Sequence, residues 1–101
     1  MKKVFISQPM GGIRESQILK TKEKAKEYVE SILGEEVEII DSFFDCAPLT
    51  KYRSRGPIWC LGESIKLMAD ADYIYFVPGW TEARGCIVER LVAEEYGIEI
   101  I

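Results

Sequence analysis

A carboxylate, an arginine and a bare glycine fall close together at Glu89, Arg84 and Gly85, just past the segment ADYIYFVPGW. That segment reads as a buried strand, Tyr73 to Val77, then a sharp Pro78-Gly79 break and Trp80, with a helix following from about Ala83 to Tyr96. In open α/β sheets ligands bind outside the carboxyl ends of the strands, so a carboxylate on a helix starting there is placed for chemistry. The chain contains no histidine, which removes Ser-His-Asp and Cys-His mechanisms and imidazole-bound metals. With Ile87 at zero on a helical wheel, Leu91, Val88 and Val92 share an apolar arc, Glu89 falls at its edge, and Gly85 lies one turn before it. The missing side chain at Gly85 leaves the space above the carboxylate open, and the nearby helix N-terminus favours its ionised form. An ionised, partly enclosed carboxylate is able to attack an anomeric carbon or to stabilise an oxocarbenium-like centre. The competing expectation is a solvated glutamate paired with Arg90 or Arg84, which contributes little.

The elements that must position these groups follow from periodicity. Lys3 to Ser7 is a short strand that ends in the loop Gln8-Pro9-Met10-Gly11-Gly12, whose glycines allow close backbone approach. Ser16 is a candidate cap for a helix running to about Leu33, with Ile18, Ala25, Val29, Ile32 and Leu33 on one face and Gly34 closing it. Glu36 to Asp41 reads as a second strand. Ser42 to Gly56 has no usable periodicity, which in a small domain suggests a binding loop or lid. Pro57 suits the first turn of another helix, with Ile58, Leu61, Ile65 and Met68 as its apolar stripe. After the Tyr73 strand and the helix to Tyr96, Gly97 is a stop and Ile98 to Ile101 a last short strand. Alternating strands and helices predict an α/β fold: a small Rossmann-like, flavodoxin-type three-layer sandwich with a four-stranded parallel sheet, residues 1–101 forming one domain.

Right-handed crossovers bring every strand-to-helix loop to one edge of such a sheet. Ser7 to Arg14, Asp41 to Gly56 and Pro78 to Glu89 then converge. The first segment supplies Ser7, Gln8, Pro9, Met10, Gly11, Gly12 and Arg14, and the second supplies Asp41, Arg53, Arg55, Phe43, Phe44 and Tyr52. The third adds Trp80, Arg84, Gly85 and Glu89. Rings that stack a base, carboxylates that meet ribose hydroxyls and arginines that meet phosphate are what a nucleoside or nucleotide needs. Trp80 is expected either to stack a base or to pack at a subunit interface. Arg84 positions substrate or is a solvated arginine near a helix start, where the macrodipole disfavours a cation. Asp41 has the place of a ribose-binding acid, without a G-x-G-x-x-G after the first strand to support it. Ser7 and Gln8 contact a ligand or satisfy the turn. Asp70 and Asp72 precede their strand and are expected to be structural, and Tyr96 is expected in the core.

ISQPMGGIR after the first strand and ADYIYFVPGWTEARGCIVE around the third resemble the nucleoside 2-deoxyribosyltransferase superfamily. The closest likeness is to its short branch with a W-x-x-(S/A)-R-G-(A/C)-x-x-E signature, and it covers nearly the whole chain. The resemblance implies a glutamate that attacks C1′ of a 2′-deoxynucleoside, releases the base and passes the glycosyl group to another base or to water. The matching residue is Glu89. In related deoxynucleoside-monophosphate hydrolases a Gly-Gly-Arg in the first loop contributes to phosphate binding, and Gly11-Gly12-Ile13-Arg14 looks like a stretched version of it. The enzymes often carry a second acid on the helix before the third strand, for which Glu63 and Ser64 are the nearest positions here.

Composition bounds the remaining choices. A chain of 101 residues with 48% hydrophobic content is sufficient for one small core. A net charge of −4 provides no broad basic surface, so duplex nucleic acid is not an expected partner. No apolar run is long enough to span a bilayer, and MKKVFISQPMGG lacks a secretion-signal core, so a cytoplasmic, membrane-free protein is expected. Cys46, Cys60 and Cys86 have no CxxC spacing and read as reduced, structural thiols. No metal or organic cofactor is expected, since a glutamate would carry the covalent step. A short sheet with an exposed edge predicts a homodimer or higher homo-oligomer. Two alternatives to the enzyme stand beside it: a nucleotide-binding module without turnover, and a purely structural oligomeric protein with no pocket.

Overall fold

The chain alternates residues of opposite destiny from its first strand onward, and two separate cores result. In the computed structural model, which describes residues 1–42 and 56–101, β1 (Lys2–Ser7) lies inside a four-stranded parallel sheet ordered β2-β1-β3-β4. The other strands are β2 (Val37–Ile39), β3 (Tyr73–Phe76) and β4 (Glu99–Ile100). Three helices connect them: α1 (Glu15–Leu33), α2 (Gly56–Met68) and α3 (Arg84–Glu95). The fold is the small Rossmann-like α/β sandwich expected. Successive side chains of a strand point to opposite faces. Val4 and Ile6 therefore pack with Ala25 and Val29 of α1, whereas Phe5 packs with Met68 of α2, Ile74 and Phe76 of β3, and Ala93 of α3.

Register and small polar clips fix the sheet. Phe5 pairs with Ile74 and Ser7 with Phe76 across β1 and β3, and the Val77 amide donates to the Ser7 carbonyl at 2.9 Å. At the opposite edge Asp72 accepts from the Lys3 amide at 2.8 Å, and its own amide donates to the Lys3 carbonyl at 2.8 Å. Asp70 pairs with the Lys3 ammonium at 2.8 Å. Both aspartates are thus structural, far along the strands from the loop edge.

The helices follow the sequence pattern with informative differences. α1 begins at Glu15 with Arg14 as N-cap and no side-chain capping bond, so Ser16 lies inside the helix and does not cap it. Gly34 closes α1 in the left-handed conformation (φ 71°), its amide donating to the Glu30 carbonyl at 2.8 Å. α3 departs most. It buries Cys86, Glu89 and Ala93, and leaves Ile87, Val88 and Leu91 exposed. The arc assigned to the sheet by apolar content is therefore rotated toward solvent. Small Cys86 and Ala93 share the buried face with Glu89, and a 3-10 turn (Trp80–Glu82) precedes the helix. Ile58, Ile32 and Tyr96 are likewise exposed, Tyr96 by 82%, which corrects its expected core position. Cys86 is a free thiol, but Cys60 is disulfide-bonded, a correction to the expectation of reduced thiols. No described helix is long and apolar enough to cross a membrane.

Candidate functional site

The order β2-β1-β3-β4 reverses direction between β1 and β3, and the crevice outside such a switch point is where open α/β sheets bind ligands. Ser7 is the last residue of β1, and parity sends its side chain to the same face as Phe5, beneath α3. There its hydroxyl donates to Glu89 Oε1 at 2.6 Å. Ser7 is 1% exposed and Glu89 is 7% exposed. Glu89 is therefore no solvated surface glutamate: Arg90 pairs with Glu94 at 2.7 Å, and among the described residues no cation sits within ion-pair distance of Glu89.

Burial sets the electrostatics of this pair. It pushes the Glu89 carboxyl above the ordinary carboxylate range, and the Ser7 hydrogen bond partly offsets that rise. The helix N-terminus is expected to favour the ionised form, but Glu89 sits a full turn inside α3, past the reach of the terminus, and burial raises its titration. The Cys86 thiol is also pushed up by burial, with Ser7 lowering it and the Glu89 charge raising it. It is held as a neutral thiol, not a nucleophile. Because Ser7 holds the Glu89 titration down, Ser7→Ala is expected to move it further up. It should also cost about 1–3 kcal/mol at neutral pH, the usual penalty for stranding a buried partner. Carbon-13 NMR of the glutamate carboxyl and urea denaturation read the two effects, and an unmoved titration would contradict the assignment.

A cleft of about 750 Å³ opens over this edge of the sheet, with Glu89 in its lining. Of the residues expected there, Gln8, Pro9, Met10, Gly11, Arg84 and Gly85 line it with Glu89. A Cβ built on Gly85 meets nothing within 4 Å, so the approach beside the carboxylate is open. Ser7 stands behind the carboxylate as its hydrogen-bond donor. Gly12, at φ 73°, serves the turn in which the Ile13 amide donates to the Met10 carbonyl at 3.2 Å. It does not line the cleft, and neither does Arg14, exposed at the start of α1. Asp41 is exposed and lies 3.7 Å from Lys22 of α1, outside the cleft. The Trp80 ring packs on Phe76 at a centroid distance of 5.5 Å, with the Arg90 guanidinium 5.1 Å above it, and is absent from the lining. Phe43, Phe44, Tyr52, Arg53 and Arg55 lie outside the described residues.

Several cleft residues were not singled out by sequence reasoning. Ser42 and Glu82 are two of them, and both line it. Of the two positions named for a second acid, Ser64 of α2 lines the cleft, whereas Glu63 pairs with Lys66 at 2.9 Å. Among the described residues no group of three or more histidine, cysteine, aspartate or glutamate side chains is placed to hold a metal ion. Comparison of the chain with protein-family models, with curated proteins and with solved structures gives no match.

Proposed function

We propose that the cleft binds a 2′-deoxynucleoside or its 5′-monophosphate and that Glu89 cleaves or transfers the N-glycosidic bond. The observation that carries this reading is a buried carboxylate, hydrogen-bonded by Ser7 at 2.6 Å, in the lining of a 750 Å³ cleft at the switch point of the sheet. An Oε of Glu89 attacks C1′ of the sugar. The C1′–N bond breaks as the C1′–O bond forms, and the base leaves with the electron pair and takes a proton from solvent. Water or the nitrogen of a second base then attacks C1′ and gives its proton to solvent, and the carboxylate departs with the electrons of the ester bond. Ser7 orients the carboxylate and supports its ionised form. Arg84 and the Gln8–Gly11 loop position the substrate. Positive charge developing at C1′ further favours the ionised carboxylate in a desolvated site. Turnover is accordingly expected to fade as pH falls through the raised Glu89 value.

The covalent step is tested by intact-mass spectrometry after rapid quenching with substrate. A mass gain of one deoxyribosyl group that disappears in Glu89→Gln supports the nucleophile. Base release with no adduct in any quench, and undiminished in the variant, contradicts it.

One observation favours a second reading, a nucleotide-binding module without turnover. Glu89 is the one buried carboxylate among the described cleft residues, so those residues offer no second enclosed acid to protonate a departing base. Under that reading Glu89 binds ligand hydroxyls, and its replacement alters affinity alone. Self-association belongs to the proposal as well, supported by the exposed apolar residues Ile87, Val88 and Leu91 on α3. Light scattering is expected to give the mass of at least two chains, and the mass of one chain at micromolar concentration would contradict it.

A further inference from the structure

Two buried polar atoms of the cleft have no hydrogen-bond partner among the described residues, Gln8 Nε2 and Ser42 Oγ. Both side chains line the cleft, and they are 5% and 2% exposed. Burial of such groups without a partner is costly and rare in folded proteins, so two in one cavity call for a ligand that completes them.

Their place in the fold says which part of a ligand they meet. β1 pairs with β2 in the register Val4 with Ile39, and the Ile40 amide continues the ladder by donating to the Val4 carbonyl at 3.0 Å. Continued by three residues, that register brings Ser42 level with Ser7, on the side of β1 away from β3. Glu89 thus has two unlike flanks. Toward β3 lie Arg84 and the first turn of α3, which has no side-chain cap, a flank suited to negative charge. Toward β2 lies neutral Ser42, and neutral Gln8 follows Ser7 directly at the end of β1, in a cleft whose lining also includes apolar Ile18 and Leu61.

We propose that Gln8 and Ser42 form a neutral hydrogen-bonding subsite that reads the polar edge of the departing base. The inference rests on the reading of the cleft as a nucleoside site. Gln8 Nε2 is a donor and takes a ring nitrogen or a carbonyl oxygen. The Ser42 hydroxyl either gives or receives, and meets the adjacent ring N–H, amino group or acceptor. A flat heterocycle with an acceptor beside a second hydrogen-bonding atom satisfies both groups, and a phosphate or carboxylate is poorly served by them. Sites built to hydrogen-bond a ligand discriminate strongly against analogues lacking the matching atoms, because their own groups are then left unpaired.

The test compares wild type with the Gln8→Met/Ser42→Ala double variant by calorimetric titration. The probes are the four natural 2′-deoxynucleosides, indole 2′-deoxyriboside, whose base has no polar edge, and 2-deoxyribose 5-phosphate, which has no base. Wild type is expected to prefer at least one natural nucleoside over the indole compound by about 30-fold, or about 2 kcal/mol at 1.4 kcal/mol per tenfold. The double variant loses that preference through weaker binding of the natural nucleoside, and binds 2-deoxyribose 5-phosphate as wild type does. Its melting temperature without ligand is equal or higher, since two unpartnered groups are gone. Retention of the preference overturns the inference, as does an equal loss of 2-deoxyribose 5-phosphate binding. The single variant Ser42→Ala carries the same comparison if the double variant does not fold. Failure of every nucleoside, and of every 5′-monophosphate titrated alongside, to bind wild type overturns this inference together with the function proposed above. Glu89-dependent base release with a preference untouched by the double variant overturns this inference alone.

Discussion

Glu89→Gln is expected to abolish turnover and, at neutral pH, to raise stability. Loss of a covalent nucleophile removes at least about 10³-fold of activity in enzymes of this kind of chemistry. The stability gain has a separate cause. Burial holds the folded-state pKa of Glu89 above its ordinary value of 4.5. The carboxyl therefore contributes stability in full below that ordinary value and loses it as pH rises through the folded-state value. Glutamine does not ionise and still offers an oxygen to the Ser7 hydroxyl. Its advantage over glutamate is present at neutral pH and vanishes below about 4.5, the ordinary carboxylate value. In a domain of this size each kcal/mol of relief raises the melting temperature by roughly 4–8 °C. Thermal melts from acid to neutral pH measure the effect, and a variant destabilised at pH 7 contradicts it. The two results together would describe a residue kept for chemistry at the expense of the fold.

Phe5→Ala is expected to have the largest effect on the fold itself. Phe5 is 1% exposed at the middle of β1 and packs against Met68, Ile74 and Phe76, so α2 and β3 both lean on its ring. Truncation of a buried phenylalanine costs about 3–5 kcal/mol, from lost burial and the cavity left behind. Total stability of a small domain is about 5–15 kcal/mol, so the variant falls close to the threshold of folding. Urea titration should show a lower midpoint with an unchanged slope. A loss below about 1 kcal/mol would mean that the site collapses around the missing ring, contrary to the packing described. Phe5 also lines the cleft, so this core and the candidate site share a wall.

The arrangement of elements was legible in the sequence because alternation and helix periodicity agreed over most of the chain. Val4, Phe5, Ile6 and Ser7 read as a strand with two destinations, and the structure gives each residue the face its parity demands. The position of Glu89 was legible for the same reason: a helix that follows a buried strand begins at the loop edge. Its depth was not. Ile87 and Leu91 belong to the apolar arc and Glu89 falls at its edge, whereas the face that α3 buries is Cys86, Glu89 and Ala93. Apolar periodicity is a poor guide to a helix whose buried face includes a polar group satisfied by another element.

Asp41 and Ser42 show how a readable signal was missed. Val37 and Ile39 pack on the α1 face, and Ile40 on the other. Odd residues at the end of β2 thus face α1, where Asp41 meets Lys22, and even residues face the cleft, where Ser42 is buried. Chemistry drew the reading to the aspartate, but strand parity already favoured the serine. Trp80 is the converse case. An aromatic beside a Pro-Gly break looks exposed, yet Phe76 at the end of β3 and Arg90 two turns into α3 both reach its ring. No local pattern reports such a contact, because it depends on how the helix docks.

The most direct test of the central claim is base release. The protein is incubated with each 2′-deoxynucleoside and each 5′-monophosphate, with and without a second free base, and products are separated by chromatography, with Glu89→Ala in parallel. Released or exchanged base from at least one substrate, absent in the variant, is the predicted result. No released base from any substrate, with wild type and variant alike, would contradict glycosidic-bond chemistry at Glu89 and leave the cleft as a binding site without turnover.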